Sequence, residues 1–411
     1  MAEGRPRGRP KADSLLVAAL LTICVSLGPI STDMYLASLP AMTQVFQTDV
    51  GSVQLTLSVF LVGFAIAQLA YGPLSDRFGR RPVMLGGIAL YAAASVACAL
   101  ALTIETLILA RLLQAIGACC GPVLGRAVVR DVYGPERAAT VLAYMASAMA
   151  LVPAAAPILG SVLHVWFGWQ ANFWVLTGFG VMTLLGIYFL LDETNAWRDP
   201  QALRIGALIS NYGRLLRDPV YIGYVLTIAF SYSTIFAFIS GSSFVMIQVL
   251  GVPEAYFGFC FAAVVLGYMA GSFTAGRLGS RFGIQRLILA GGILAATCGL
   301  TMALLGLLGI AHVATVLVPF ALVMAGLGLI FPNAQAGAIG PYPKMAGTAS
   351  ALLGFLQMGL AALVGIGVGH WHDGTVVPMT VTIGLTTSLA LASYLLLVRR
   401  RLTKTGISPG A

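Results

Sequence analysis

The sequence predicts an all-α membrane protein whose 12 transmembrane helices form two parallel six-helix halves. Three observations carry that prediction. Of 411 residues, 59% are hydrophobic and 9% charged, against about 25% charged in soluble domains. Apolar runs of roughly 20 residues, each long enough as a helix to cross about 30 Å of hydrocarbon, recur along the whole chain. One stretch also returns in the second half: GPLSDRFGRRPVMLGG from Gly72 aligns with GRLGSRFGIQRLILAG from Gly276, sharing Gly, Leu, Arg-Phe-Gly and a later Leu. A membrane barrel would instead alternate in segments of about 10 residues.

The spans fall at 14–38, 51–72, 82–101, 105–127, 138–162, 168–191, 219–240, 254–276, 285–308, 313–338, 345–368 and 375–398. The first follows MAEGRPRGRPKADS, which is basic like a signal-peptide n-region. The apolar run behind it is too long for an h-region and lacks an evident small-residue cleavage site, so it is read as retained. Spans two and three meet in a short polar turn, where Gly72 and Gly79 permit close approach and unusual dihedrals and Pro82 suits a first helical turn. Span four carries Arg111 and Arg126, and span five carries Pro153 and Pro157. Residues 192–218 are the one long polar connection and hence the linker. The domains are therefore a basic tail 1–13, a first half 14–191, the linker, a second half 219–398 and a basic tail 399–411. An even number of spans returns the chain to its starting side, which makes the repeat parallel. Such repeats, related by an axis along the membrane normal, are a recurring transporter plan with substrate near mid-membrane.

All of the 23 Lys and Arg residues except Arg111 and Arg126 fall in the tails or in connections on one side. That side is cytoplasmic by the positive-inside rule, so both termini lie inside. The net charge of +9 reports topology and gives little reason to expect nucleic acid. The six cysteines all lie within spans, in no metal-ligand spacing, and read as small packing residues.

The pattern Gly72-x-Leu74-x-Asp76-Arg77-x-Gly79-Arg80-Arg81 resembles the signature loop of the major facilitator superfamily. RLLQAIGACCGPVLGRAVVRDVYGPERAA, residues 111–139, is similar to the fourth span and following loop of its bicyclomycin and chloramphenicol-resistance branch. STDMYLASLPAM from Ser31 and KMAGTASALLGF from Lys344 resemble that branch's first and eleventh spans. The resemblance implies a drug:proton antiporter of the major facilitator fold in a bacterial inner membrane. It implies that the signature loop is a latch holding the cytoplasmic ends of the halves together. Asp76 would then sit at the start of the eleventh helix, whose dipole favours an anion, with Arg77, Arg80, Arg81, Arg126 and Asp131 as gating residues. One departure is span five, where LVPAAAPILGS replaces the Gly-Pro pair typical of exporters. Pro153 and Pro157 still disrupt helix bonding and permit a bend.

Of 14 acidic residues, Asp33 alone lies well inside a span, and an ionisable group at membrane depth is functional by default. Asp33 is about six residues below the outer close of span one and Arg111 about six into span four, each roughly 9 Å deep. The two are expected to communicate directly, or through Gln114 or water, as the proton-coupling pair. Burial favours a neutral carboxyl and a neighbouring guanidinium a charged one, a balance that lets a group load and release a proton. Arg126 lies some 22 Å further along span four, at the inner boundary.

Span seven holds the densest aromatic run, and Tyr232 and Phe236 share a face by i, i+4 spacing. With Met34, Tyr35, Met246 and Asn333 they are expected to line an apolar pocket with few polar groups. The substrate-binding set is then Asp33, Met34, Tyr35, Arg111, Gln114, Tyr232, Phe236 and Asn333. The loop His370-Trp371-His372-Asp373 lacks the further clustered ligand a metal site needs. No P-loop is present to support ATP-driven pumping, and no nucleophile, base and orienting group form an enzyme constellation. The expected function is proton-coupled efflux of small hydrophobic drugs of amphenicol or bicyclomycin type by alternating access. No cofactor beyond the proton gradient is expected, and the expected partners are drug, protons and membrane lipid, in a monomer. The alternatives are a proton-coupled importer of a small metabolite with the same fold, and a passive channel or transport-dead sensor.

Overall fold

In the computed structural model, residues 14–149, 151–195, 212–342 and 345–404 are described. The tail 1–13, most of the linker, Lys344 and the end of the basic tail lie outside the described residues. The α-helices are α1 Leu15–Asp33, α2 Leu39–Val45, α3 Val50–Phe78, α4 Arg80–Ala99, α5 Ile104–Met149, α6 Val152–Phe167 and α7 Gln170–Leu190. The second half adds α8 Pro219–Ser243, α9 Glu254–Phe282, α10 Ile284–Leu307, α11 Val313–Ile339, α12 Ala346–His370, α13 Val377–Ser393 and α14 Arg400–Lys404. Among the described residues, 11 segments are long and apolar enough to cross a membrane. Large apolar side chains such as Leu102, Trp166 and Leu363 face outward, as a bilayer solvent permits.

Span five is the exception. Helical backbone runs from Ile104 to Met149, but its spanning part is Ile104–Tyr133, and α6 is a shorter apolar helix. A straight rod would place Met149 about 57 Å from Arg111. Yet Arg111 bonds the carbonyl of Ser31, and Gly160 abuts the carbonyl of Met34. The chain from Met149 to Gly160 reaches at most about 40 Å. The helical run is therefore not one straight rod. Span five is built from the end of that run together with α6, which starts with Pro153 in its first turn and holds Pro157 inside.

Packing repeats as the sequence does. α3 lies on α5 as α9 lies on α11, α4 bridges α5 and α7 as α10 bridges α11 and α13, and α1 meets α5 as α8 meets α11. Gly79 and Gly283, equivalent in the repeat, terminate α3 and α9 with φ of 105° and 75°, a region open chiefly to glycine. The turn between α3 and α4 is shorter than the sequence suggested, because α3 continues to Phe78. Gly72 consequently sits within α3 with open space where a Cβ would stand, so the close approach expected of it is not found.

The halves meet through α3 against α12 and α6 against α9, two contacts that the repeat interconverts. Several of these contacts lie at the end opposite the signature turn. There Gln54 Nε2 donates to the Ser240 carbonyl at 3.0 Å, Gly51 faces the Gly369 carbonyl, and residues 36–38 reach α8 and α9.

Candidate functional site

Asp33 is the last residue of α1. The chain then passes through Met34 and Tyr35 into a 3-10 turn, Leu36–Ser38, and on into α2, so the first membrane segment extends to Val45. Asp33 thus lies deeper than the sequence placed it, at a break in its own span. Thr32 Oγ1 stands 2.9 Å from Asp33 Oδ1 and 2.9 Å from the Pro29 carbonyl, with one proton to give to either. The carboxyl is buried and has no ion-pair partner among the described residues. From the other half it lies within Coulombic range of Tyr232 on α8.

Arg111 is fully buried, and its partners correct the expected direct pair with Asp33. Its Nη1 donates to Gln114 Oε1 at 2.6 Å and to the Ser31 carbonyl at 3.0 Å, and Nε reaches the Thr56 carbonyl at 3.4 Å. The rings of Phe60 and Tyr35 lie 4.4 and 4.5 Å from the guanidinium carbon, close enough for cation–π attraction. Gln114 extends the network through Nε2 to Ser95 Oγ at 2.8 Å, and Tyr91 and Ser31 hydroxyls meet at 2.8 Å. Arg111 therefore reaches Asp33 through the backbone of the last turn of α1, and Gln114 bonds Arg111 and Ser95 rather than Asp33. Sequence reasoning missed Thr56, Phe60, Tyr91 and Ser95, whose spacing in the chain gives no sign of convergence.

Several expected pocket residues are interior instead. Met34 and Tyr35 are fully buried, Met34 beneath Gly160 and Tyr35 in the Arg111 cage with its hydroxyl 2.9 Å from Thr56 Oγ1. Phe236 is buried against Gly365 of α12, and Met246 is buried in the π-helical segment Phe244–Val249 that continues α8. Tyr232 is less enclosed and makes an edge contact with Phe331, which Tyr268 also meets edge-on. Asn333 donates to its own helix at the Leu329 carbonyl, 2.8 Å away. Asp33, Asn333 and Phe331 are buried as well, so of the expected set Tyr232 is the least enclosed.

At the signature turn, Arg80 bridges two acids: Nη1 lies 2.6 Å from Asp76 Oδ1 and Nε 3.1 Å from Asp131 Oδ2. Asp76 is half-exposed and pairs within its own half, so the expected seat at the start of α12 is not seen among the described residues. Arg77 lies over Phe78, and Arg81 lies over Tyr188 and donates to its carbonyl at 2.8 Å. Arg126 is exposed on α5. Two residues escaped the sequence reading: Glu193 accepts from the amides of Arg80 and Arg81 at 2.8 and 3.2 Å, capping α4 as an anion should, and Asn195 Nδ2 donates to the Ser75 and Asp76 carbonyls. In the second copy Gln285 stands where Arg81 does, donating to the Tyr224 hydroxyl at 2.5 Å and accepting from Tyr394 at 2.6 Å. The loop histidines diverge, His370 toward the Ile366 carbonyl and His372 toward the Phe244 ring; burial pulls His372 below its ordinary value.

The sequence profile of the Major Facilitator Superfamily matches residues 21–366. A bicyclomycin resistance protein homolog of Haemophilus influenzae is 28% identical over 94% of this chain and 97% of its own. Multidrug resistance protein MdtL of Escherichia coli is 30% identical over 87% of this chain and 91% of its own. Among solved structures, a D-xylose–proton symporter superposes with a TM-score of 0.76 over 93% of this chain and 97% of its own, at 15% identity, a likeness of fold. Its repeated helical halves and the profile match along most of its length make this chain a transporter, not an enzyme, and a member of the Major Facilitator Superfamily.

Proposed function

We propose that this chain exports small hydrophobic drugs in exchange for protons by alternating access, from the cytoplasmic membrane of a bacterium with both termini inside. The observation that carries the reading is Asp33: a buried carboxyl at a helix break, hydrogen-bonded by Thr32 and with no ion-pair partner among the described residues. An acid in that position is where a proton and a cargo compete. Drug export is also what the names of the two relatives suggest.

Asp33 carries the proton. Arg111 holds the Ser31 carbonyl and so fixes the backbone that aims the carboxyl, and the rings of Tyr232, Tyr268 and Phe331 offer an apolar surface to cargo. The halves rock about the α3–α12 and α6–α9 contacts, and the Asp76–Arg80–Asp131 cluster at the cytoplasmic end changes partners as they do. One proton supplies about 1.4 kcal/mol per pH unit and about 2.3 kcal/mol per 100 mV, enough at ordinary gradients to concentrate a neutral drug a few hundredfold.

The test is expression in a pump-deficient bacterium, with resistance measured against amphenicols and bicyclomycin, with and without a protonophore. The reading requires resistance that the protonophore abolishes. Resistance that survives collapse of the gradient contradicts proton exchange, and heightened sensitivity contradicts export.

A further inference from the structure

At the end of the molecule opposite the signature turn, α6 of the first half and α9 of the second are joined by a pair that neither the transport site nor the latch uses. His164 Nε2 lies 3.2 Å from Glu254 Oε2, with side-chain exposures of 9% and 38%. His164 sits in the last turn of α6 and Glu254 in the first turn of α9. Just below them, Gly258 packs directly on the backbone of Pro157 and Ile158, so the bond lies at the mouth of the α6–α9 seam. Beside the seam's symmetry mate, α3 against α12, a second bond joins the halves, from Gln54 of α3 to the Ser240 carbonyl of α8.

We propose that His164 and Glu254 form a gate bond that holds this face shut and breaks each time the halves part there. Its chemistry suits a reversible contact. Glu254 is more than a third exposed, so water competes for its carboxylate and limits the strength of the pair. His164 Nδ1 is buried with no hydrogen-bond partner, a deficit that opening to water relieves. The closed state is therefore held, but not heavily. Among the described residues, Glu254 is the charged side chain paired with His164.

This inference rests on the alternating-access part of the reading above and on neither drug nor proton. Spin labels at Phe167→Cys and Tyr256→Cys, both exposed sites on the same two helices, report the seam's width. They are placed in the full-length chain with Cys260→Ser and Cys298→Ser, reconstituted in liposomes. With the pair intact the short distance dominates. Glu254→Ala raises the population of the long distance by up to about fivefold, and Glu254→Gln, which keeps an acceptor for Nε2, stays near the parent. If Glu254→Ala does not fold, His164→Ala makes the same comparison. A folded alanine variant with the parent's distance distribution overturns the gate. A shift in distances from a chain that confers no drug resistance keeps the gate and sinks drug export.

Discussion

Arg111 donates to the main-chain carbonyl of Ser31 across 3.0 Å, two residues before Asp33, so a cation of α5 grips the backbone that presents the acid of α1. Its fork is matched to several acceptors at once, and lysine is a single point charge. Arg111→Lys should fold yet lose at least tenfold in drug efflux from cells. Arg111→Ala takes the guanidinium donor from the buried Ser31 carbonyl and Gln114 Oε1, and should lower stability by roughly 2–4 kcal/mol, read as thermal unfolding in detergent. A lysine variant that transports at the parental rate would refute the role of the fork.

Arg80 serves two acids of unequal exposure, 47% for Asp76 and 24% for Asp131. Because exposed pairs contribute about 0–1 kcal/mol, Asp76→Asn should barely alter stability while Asp131→Asn costs about 1 kcal/mol. Melting curves of the two purified variants give the ranking, and the reverse order would show that the bridge is misassigned.

Gly160 and Gly72 should behave oppositely. A Cβ at Gly160 would stand 1.5 Å from the Met34 carbonyl oxygen, whereas one at Gly72 meets nothing. Gly160→Ala should cost about 3 kcal/mol or more through overpacking, and Gly72→Ala should be stabilising by about 0.5–1 kcal/mol through helix propensity. Folded yield and melting temperature measure both.

Asp49 caps α3, accepting from the Ser52 amide at 2.9 Å and hydroxyl at 2.7 Å, and those bonds hold its carboxyl below its usual value. A depressed native pKa stabilises the fold above the unfolded value near 3.9 and ceases to do so as pH falls through the lower native one. Asp49→Ala should cost about 1 kcal/mol at pH 7, and its deficit against the parent should shrink below about pH 4. A deficit unchanged from pH 7 to pH 3 would mean that the cap is not ionic.

Hydropathy alone located most helices, because a spanning helix must be apolar over its full length. It could not say which face of a helix looks inward. Met34, Tyr35 and Phe236 are as apolar as a pocket lining needs, and packing against Gly160, Arg111 and Gly365 buries them instead. The cage around Arg111 was illegible for another reason: Ser31, Thr56 and Phe60 come from α1 and α3, Phe173, whose ring centre lies 5.9 Å from the guanidinium carbon, comes from α7, and they converge only through tertiary structure. Glu193 likewise reaches Arg80 across a sequence separation of 113. Asp33 was legible because charge is costly in a bilayer wherever it points, but the helix break that follows it was not.

The most direct measurement is drug efflux driven by an imposed pH gradient in membrane vesicles carrying Asp33→Asn. The account predicts that the variant folds, and that acidifying the side of uptake no longer drives drug against its gradient. Gradient-driven export at the parental rate would show that the proton travels by another group.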